Sequence, residues 1–445
     1  MLTGVILIFI IGYIVIVFEH PLKIDKTVPA IIMGALCWAA IAGGHLPLVN
    51  TSHIIADQES VLLHHIGKIA EILFFLIGAM TIVELIDLHH GFSVITNRMK
   101  TTKKSTMLWL ICILAFFLSA TLDNLAATIV LVSLLRRLVP QREERIWFIS
   151  MAVIAANAGG AWSPIGDVTT TMLWIGKKVS TEGLITHLVL PSIVCTLIPV
   201  LIASRLPAFK GNITPSDYDA ESGKQNELVL GSKRILAFGL GGLVFVPIFK
   251  SLTHLPPYVG MMLALGVVWL VSELVHREES FDKKEMYTAH HALSRIEMSS
   301  ILFFLGILVA VAALESIDVS GAVLGEHGTG LLMSLAEQLQ EAIPNTNIVV
   351  IMLGVLSAII DNVPLVAASM GMYTYEMDHS LWHFIAFSAG TGGSMLIIGS
   401  AAGVAAMGME RIDFIWYLKN IGWLAAVGFL SGCAVYIGLA AAFGW

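Results

Sequence analysis

Runs of roughly 20 apolar residues follow one another along almost the whole chain. They lie at 2–18, 28–43, 68–87, 106–138, 146–178, 184–206, 234–250, 257–276, 296–315, 346–373, 382–410 and 412–443. Such recurrence is the signature of membrane-spanning helices. Charged residues make up 13% of the 445, against about 25% in a soluble domain, and mean hydropathy is +0.84. The chain therefore reads as an integral membrane protein whose natural surroundings include the lipid bilayer. Its net charge of −7 and the absence of a basic tail exclude nucleic acid as an expected partner. Cys37, Cys112, Cys195 and Cys433 all fall inside apolar runs, where they read as small packing residues rather than a disulfide framework. Segment 2–18 lacks a basic n-region and an A-x-A site, so it reads as a retained helix.

Three long runs are interrupted by polar or glycine-rich segments. Thr121-Leu122-Asp123-Asn124 sits in the middle of 106–138, and Ile360-Asp361-Asn362-Val363-Pro364 in the middle of 346–373. Run 146–178 carries Asn157-Ala158-Gly159-Gly160 and then Ser163-Pro164-Ile165-Gly166-Asp167. These markers recur in order in the second half. Ile72-Leu73-Phe74-Phe75-Leu76 returns as Ile301-Leu302-Phe303-Phe304-Leu305. Glu84 and Asp87 return as Glu315 and Asp318, and Asp123-Asn124 as Asp361-Asn362. Asn157-Ala158-Gly159-Gly160 with Gly166 returns as Gly390-Thr391-Gly392-Gly393 with Gly399. This is an internal duplication.

Basic residues set the orientation, because cytoplasmic loops hold the excess of Lys and Arg. Arg98, Lys100, Lys103 and Lys104 precede run 106–138; Arg136, Arg137, Arg142 and Arg145 follow it. Both ends then face the cytoplasm, so the run is a re-entrant hairpin with its tip at Asp123-Asn124. The segments flanking 346–373 hold no Lys or Arg but Glu326, Glu337, Glu341, Glu376 and Asp378, so that hairpin enters from outside. The resulting fold class is an all-α polytopic membrane protein of two inverted-topology repeats. Each repeat has three membrane helices, a re-entrant helical hairpin, a broken helix and a final helix. The first repeat is 1–206, with hairpin 106–138 and broken helix 146–178. A cytoplasmic linker spans 207–233. The second repeat is 234–445, with hairpin 346–373 and broken helix 382–410. An outside N-terminus places all of the 25 Lys and Arg inside except Lys68, Lys177, Lys178 and Lys250.

Interrupted backbone inside a bilayer leaves peptide groups unpaired and survives only against protein or a water-filled cavity. Paired interruptions at matching positions of two repeats point to a transporter's binding site. Asp123 and Asp361 sit at the tips and Asp167 in the first break, with Thr169, Thr170 and Thr171 behind it. Asn124, Asn157, Asn362, Thr121, Ser357, Ser388, Thr391, Ser394 and Ser400 surround them. No Lys or Arg lies in either hairpin interior or either break, whereas a carboxylate or phosphate substrate calls for cationic groups. Carboxylates among neutral oxygens suit a hard cation such as Na+ or Li+. Burial and a neighbouring acid both disfavour the charged form of a carboxylate, so protons and Na+ can compete for Asp123 and Asp361. The cargo is then Na+ or Li+ against H+, with no cofactor.

Structural roles stand beside these. Asp123, Asp361 and Asp167 also read as helix N-caps, Asn124 and Asn362 as turn residues, and the Ser and Thr hydroxyls as donors to helix carbonyls. Glu84, Glu315 and Glu71 read equally as interface carboxylates and as proton-path residues. His45, His53, His64, His65, His89, His90, His290 and His291 read first as solvated loop histidines, with a pH-sensing role as the second reading. An intramembrane aspartyl protease needs Gly-x-Gly-Asp, and Pro164-Ile165-Gly166-Asp167 lacks the first glycine.

Thr121-Leu122-Asp123-Asn124-Leu125-Ala126, the run from Asn157 to Thr170, Asp361-Asn362-Val363-Pro364 and Phe18-Glu19-His20-Pro21 resemble the NhaD-type Na+/H+ antiporters of the ion transporter superfamily. The resemblance covers essentially the whole chain. It implies export of Na+ and Li+ driven by proton entry, favoured at alkaline pH, in a bacterial inner membrane. It maps ion and proton roles onto Asp123, Asn124, Asn157, Asp167, Thr169, Thr170, Asp361 and Asn362. Thr121, Ser357, Thr391, Ser394, Glu84 and Glu315 are secondary candidates. It also implies a homodimer with a scaffold and an elevator-like transport part at 106–206 and 346–443. The rival within the superfamily is a dicarboxylate symporter. Its relatives resemble one another in carrying Ser-Asn-Thr at the hairpin tips, where this chain has Leu-Asp-Asn and Ile-Asp-Asn.

Overall fold

The computed structural model describes residues 2–50, 54–96, 101–213, 231–277, 287–359 and 361–444. Arg98, Lys100, Lys224, Lys283, Lys284, His53 and most of the 207–233 linker lie outside the described residues. The described chain is helical apart from one short antiparallel pair, Leu48–Val49 with Ile55–Ala56. Eight helices among the described residues are long and apolar enough to cross a membrane, or nine if the pair Leu331–Ala342 and Thr346–Leu356, bent by 117°, counts as one span.

The principal helices are α1 (Leu2–Val17), α2 (Thr27–Gly44), α3 (Gln58–Leu88), α4 (Lys104–Leu122), α5 (Asn124–Leu138), α6 (Arg142–Gly160), α7 (Val168–Ile175) and α8 (Thr181–Ala203). They continue as α9 (Ser232–Thr253), α10 (Pro257–Val275), α11 (Met298–Ser316), α12 (Leu331–Ala342), α13 (Thr346–Leu356) and α14 (Asn362–Met372). The last three are α15 (Ser380–Gly392), α16 (Ala401–Glu410) and α17 (Trp423–Phe443). All four expected interruptions are present: α4/α5, α6/α7, α13/α14 and α15/α16.

Two stretches depart from the sequence reading. Helix α3 starts well before the apolar run at 68, because Asp57 accepts a hydrogen bond from Ser60 N at 2.9 Å and caps a polar first turn. His64 and His65 are thereby helical rather than loop residues. His65 is buried, with Nε2 2.9 Å from Ser316 Oγ. His89 is also buried, its Nε2 3.3 Å from Ser272 Oγ of α10 and its Nδ1 2.7 Å from the Leu85 carbonyl of its own helix. Hydrogen-bonding partners across the bundle, invisible in the local pattern, overturn the solvated-loop reading at both positions. Segment 315–345, to which the apolar runs assign no helix, contains α12 and backbone bridges from Ile317 to Leu48 and from His327 to Ile54. Asp318 holds it together by accepting from Ser320 Oγ at 2.7 Å and from the amides of Gly321 and Thr329, each at 2.9 Å.

Most helix packing falls into two groups, which meet where α11 packs on α14. In one, α2 packs on α1 and α11, and α3 on α10, α9 and α11. In the other, α4 packs on α6, α13 on α15, α8 on α17, α5 on α16 and α7 on α14. Glycines set the closest crossings of the second group. A Cβ at Gly159 would fall on the Phe116 carbonyl, and one at Gly392 on the Gly354 carbonyl. The glycine-rich motifs thus let α6 and α15 lie directly on α4 and α13. All four cysteines are free and buried, within the packing role expected of them.

The arginines at the end of α5 and the start of α6 close another helix. Arg136 Nε and Arg145 Nη2 hold the Glu410 carboxylate at 2.6 and 2.9 Å, and that side chain is 2% exposed. Arg142 donates to the Glu410 and Arg411 carbonyls at 3.0 and 2.7 Å, and Arg136 to the Met409 carbonyl. These bonds satisfy the open carbonyl end of α16. Replacing Glu410 by Ala leaves the largely buried Arg145 without its carboxylate, keeping only the Val139 and Pro140 carbonyls, at a cost of about 3 kcal/mol. A markedly lower melting temperature of purified Glu410→Ala in detergent is the expected outcome.

Candidate functional site

Four helices begin at the centre of the second group, and polar residues singled out in the sequence cap all four. Asp123 Oδ1 accepts from Ala126 N at 2.7 Å at the start of α5. Asp167 Oδ1 accepts from Thr169 N at 2.8 Å at the start of α7. Asp361 Oδ1 accepts from Val363 N at 3.3 Å at α14, and Ser400 Oγ from Gly403 N at 3.1 Å at α16. The capping role and a ligand role do not compete, because each carboxylate has a second oxygen.

Asp167 is the hub, 1% exposed. Its Oδ2 accepts from Asn124 Nδ2 at 2.6 Å and from Asn362 Nδ2 at 3.5 Å. Its Oδ1 also accepts from Thr169 Oγ1 at 2.8 Å. One carboxylate, at the α6/α7 break, thus meets residues from the α4/α5 and α13/α14 breaks. Asn124 Nδ2 also reaches Asn157 Oδ1 at 3.0 Å, and Asn157 Nδ2 donates to Ser394 Oγ at 2.8 Å and Ser400 Oγ at 2.9 Å. A continuous chain of buried polar groups runs from Thr169 to the break before α16. Gly390 lies beside it: a Cβ there would approach Asp167 Oδ2 to 3.7 Å.

Asp123 is held in an unusual backbone, φ 104° and ψ 162°, a region otherwise occupied almost only by glycine. It lines a cavity of about 130 Å³ together with Glu84, Asp87, Arg295 and Glu297. Arg295 Nε lies 2.7 Å from Glu84 Oε1, and its Nη2 3.6 Å from Asp87 Oδ2. Acidic groups therefore line the approach to Asp123, with one arginine among them. Asp361 does not line this cavity. Its Oδ2 pairs with Lys26 Nζ at 2.9 Å. The residues at the four breaks include no Lys or Arg, but one ammonium arrives from the segment before α2.

Residues 13–383 match the family described as CitMHS, citrate transporter. Sodium/proton antiporter 2 of Arabidopsis thaliana is 43% identical over 97% of this chain and 98% of its own length. Sodium/proton antiporter 1 of the same plant is 45% identical over 97% and 71%. Na(+)/H(+) antiporter NhaD of Alkalimonas amylolytica is 31% identical over 98% and 90%. The chain belongs to the NhaD-type antiporter family of the ion transporter superfamily. The YdaH transporter of Alcanivorax borkumensis shares the fold, with a TM-score of 0.60 at 14% identity over 95% of this chain and 99% of that one.

In this NhaD-type chain the eight primary candidates divide by environment. Asn124, Asn157, Asp167, Thr169 and Asn362 form one network. Thr170 Oγ1 turns instead to the Asp167 carbonyl at 2.9 Å. Among the secondary candidates, Ser394 joins the network and Glu84 faces the Asp123 cavity. Thr121 and Thr391 donate to the carbonyls of Leu118 and Phe387, and Ser357 to that of Ala389 across to α15. Glu315 sits away from the network, against Gly371. Lys26, Arg295 and Glu297 were not among the sequence candidates, since each lies at or beside the end of an ordinary span. Their charge at a helix entrance was the available signal.

The strained backbone at Asp123 makes a direct test. Strain in this region costs about 1–3 kcal/mol, and a lost cap about 1 kcal/mol. Asp123→Gly is expected to melt at or above wild type, and Asp123→Ala below both, in thermal denaturation of the purified protein.

Proposed function

We propose that the chain exports Na+ or Li+ in exchange for protons by alternating access, as an elevator-type antiporter. The observation that carries this reading is the meeting of Asp167 with the amides of Asn124 and Asn362 from two interrupted helix pairs. It sets acidic and neutral oxygen groups at converging helix ends, the arrangement by which transporters hold ions at the membrane midplane. Asp123, Asp167 and Asp361 supply the negative charge for which Na+ and protons compete. Asn124, Asn157, Asn362, Thr169 and Thr170 supply neutral oxygens, with Asp123 and Asp361 as direct Na+ ligands. The cavity lined by Glu84, Asp87 and Glu297 is the cytoplasmic route to Asp123. The names of the Arabidopsis and NhaD relatives support sodium/proton antiport as the activity.

Several architectural features belong to the same proposal. The two halves are inverted-topology repeats, 1–206 and 234–445, joined by a cytoplasmic linker, and their interrupted pairs are re-entrant hairpins. The recurrence of sequence markers and of the four breaks supports this. The group built on α2, α3, α10 and α11 is the scaffold, and the group around α4–α8 and α13–α17 moves against it. The protein works as a homodimer in a bacterial inner membrane, in pH and sodium homeostasis.

A second reading, a dicarboxylate symporter, draws on the citrate-transporter description of the family and on the Lys26 ammonium. Everted vesicles carrying the protein separate the two. Na+ or Li+ is expected to dissipate an imposed pH gradient; collapse by dicarboxylate and not by Na+ reverses the ranking. Asp123→Asn and Asp361→Asn are each expected to lose Na+-dependent exchange by more than tenfold while inserting normally, and wild-type-like exchange in both removes the site.

A further inference from the structure

We infer that Lys26 is an internal counter-ion: its ammonium occupies Asp361 in the cation-free protein, and an arriving Na+ must displace it. The inference deepens the antiport reading and rests on it.

The geometry leaves one place for a cation at Asp361. Oδ1 is committed to the Val363 amide at 3.3 Å, and Oδ2 is taken by Lys26 Nζ at 2.9 Å. The two side chains are 20% and 12% exposed, so the pair is well shielded from water and weakly screened by salt. Lys26 is further fixed by its position 4.5 Å from the centre of the Phe303 ring. Among the described residues it is the one Lys or Arg paired with any of Asp123, Asp167 and Asp361. An ammonium and Na+ carry the same charge, so exchange of one for the other leaves Asp361 neutralised throughout. Na+ then competes with an ammonium at Asp361. The carboxylates of Glu19 and Glu297 both attract Lys26, which gives the released side chain somewhere to go. Glu297 also lines the Asp123 cavity.

Lys26 immediately precedes α2, in one packing group, and Asp361 opens α14, in the other. The pair is therefore also a tie between the groups, and Na+ binding removes it. A chain lacking the ammonium binds Na+ without this competition.

The test is Na+-dependent proton exchange in proteoliposomes at fixed pH, comparing wild type, Lys26→Ala and Lys26→Arg. If the ammonium holds Asp361 most of the time, Lys26→Ala lowers the half-saturating Na+ concentration by about three- to tenfold. Lys26→Arg stays near wild type. An unchanged or higher half-saturating concentration in Lys26→Ala overturns the inference, while loss of exchange in Asp361→Asn leaves the antiport reading standing. No Na+-stimulated exchange in wild type removes that reading itself. A measurement on the wild-type protein avoids any folding defect of the variants: amine-reactive labelling of Lys26, followed by mass spectrometry. Na+ is expected to speed labelling relative to choline, and equal rates in the two salts overturn the inference.

Discussion

Four helices stop and restart inside the bundle, and the peptide groups at those ends must find partners within the protein. Lipid cannot satisfy them, and each orphaned group costs several kcal/mol. The Asp167 network and the four capping side chains meet that demand. Asp167 accepts from Asn124 at 2.6 Å and lies 3.5 Å from the Asn362 amide, so the α5 and α14 starts meet at one carboxylate. The close glycine crossings at Gly159 and Gly392 follow from the same need, since only direct contact between helices shields the broken backbone from lipid.

The distribution of charge follows from that frame. Three aspartates lie around the breaks, and each has a different partner. Asp167 is surrounded by neutral donors, Asp123 faces a small acidic cavity, and Asp361 holds an ammonium. Burying like charges together is costly, and separating their environments lowers that cost. The same separation gives the proposed exchange three chemically distinct acids instead of one diffuse negative patch. Arginines finish the ends elsewhere: Arg136, Arg142 and Arg145 close α16, and Arg295 pairs with Glu84 at the cavity.

The breaks themselves were legible in the sequence, because Asp-Asn, Asn-Ala-Gly-Gly and Gly-Thr-Gly-Gly stand out against apolar runs. So were the residues of the network, since intramembrane Asp and Asn have few other uses. Their ranking was not legible. Asp123 and Asp361 drew attention as the paired tips, yet Asp167 is the residue that joins the two interrupted pairs. Pairing in sequence says which positions correspond, and hydrogen-bond geometry says which side chain reaches the others. Thr121, Ser357 and Thr391 matched the composition of a site but turn to helix carbonyls, a choice set by rotamer and neighbour rather than by residue type.

Sequence by itself determined that the chain lives in a bilayer, that it is helical, and where the helices break. Hydrophobic runs and local backbone preference act over a few residues, so they are written locally. Only the tertiary structure decided what surrounds each acid. Lys26 and Asp361 are 335 residues apart, and Arg136 and Glu410 are 274 apart. His65 meets Ser316 by the same kind of long-range packing. No local pattern encodes such meetings, because they depend on how every intervening helix packs, and a buried charge is defined by the partner that packing brings to it.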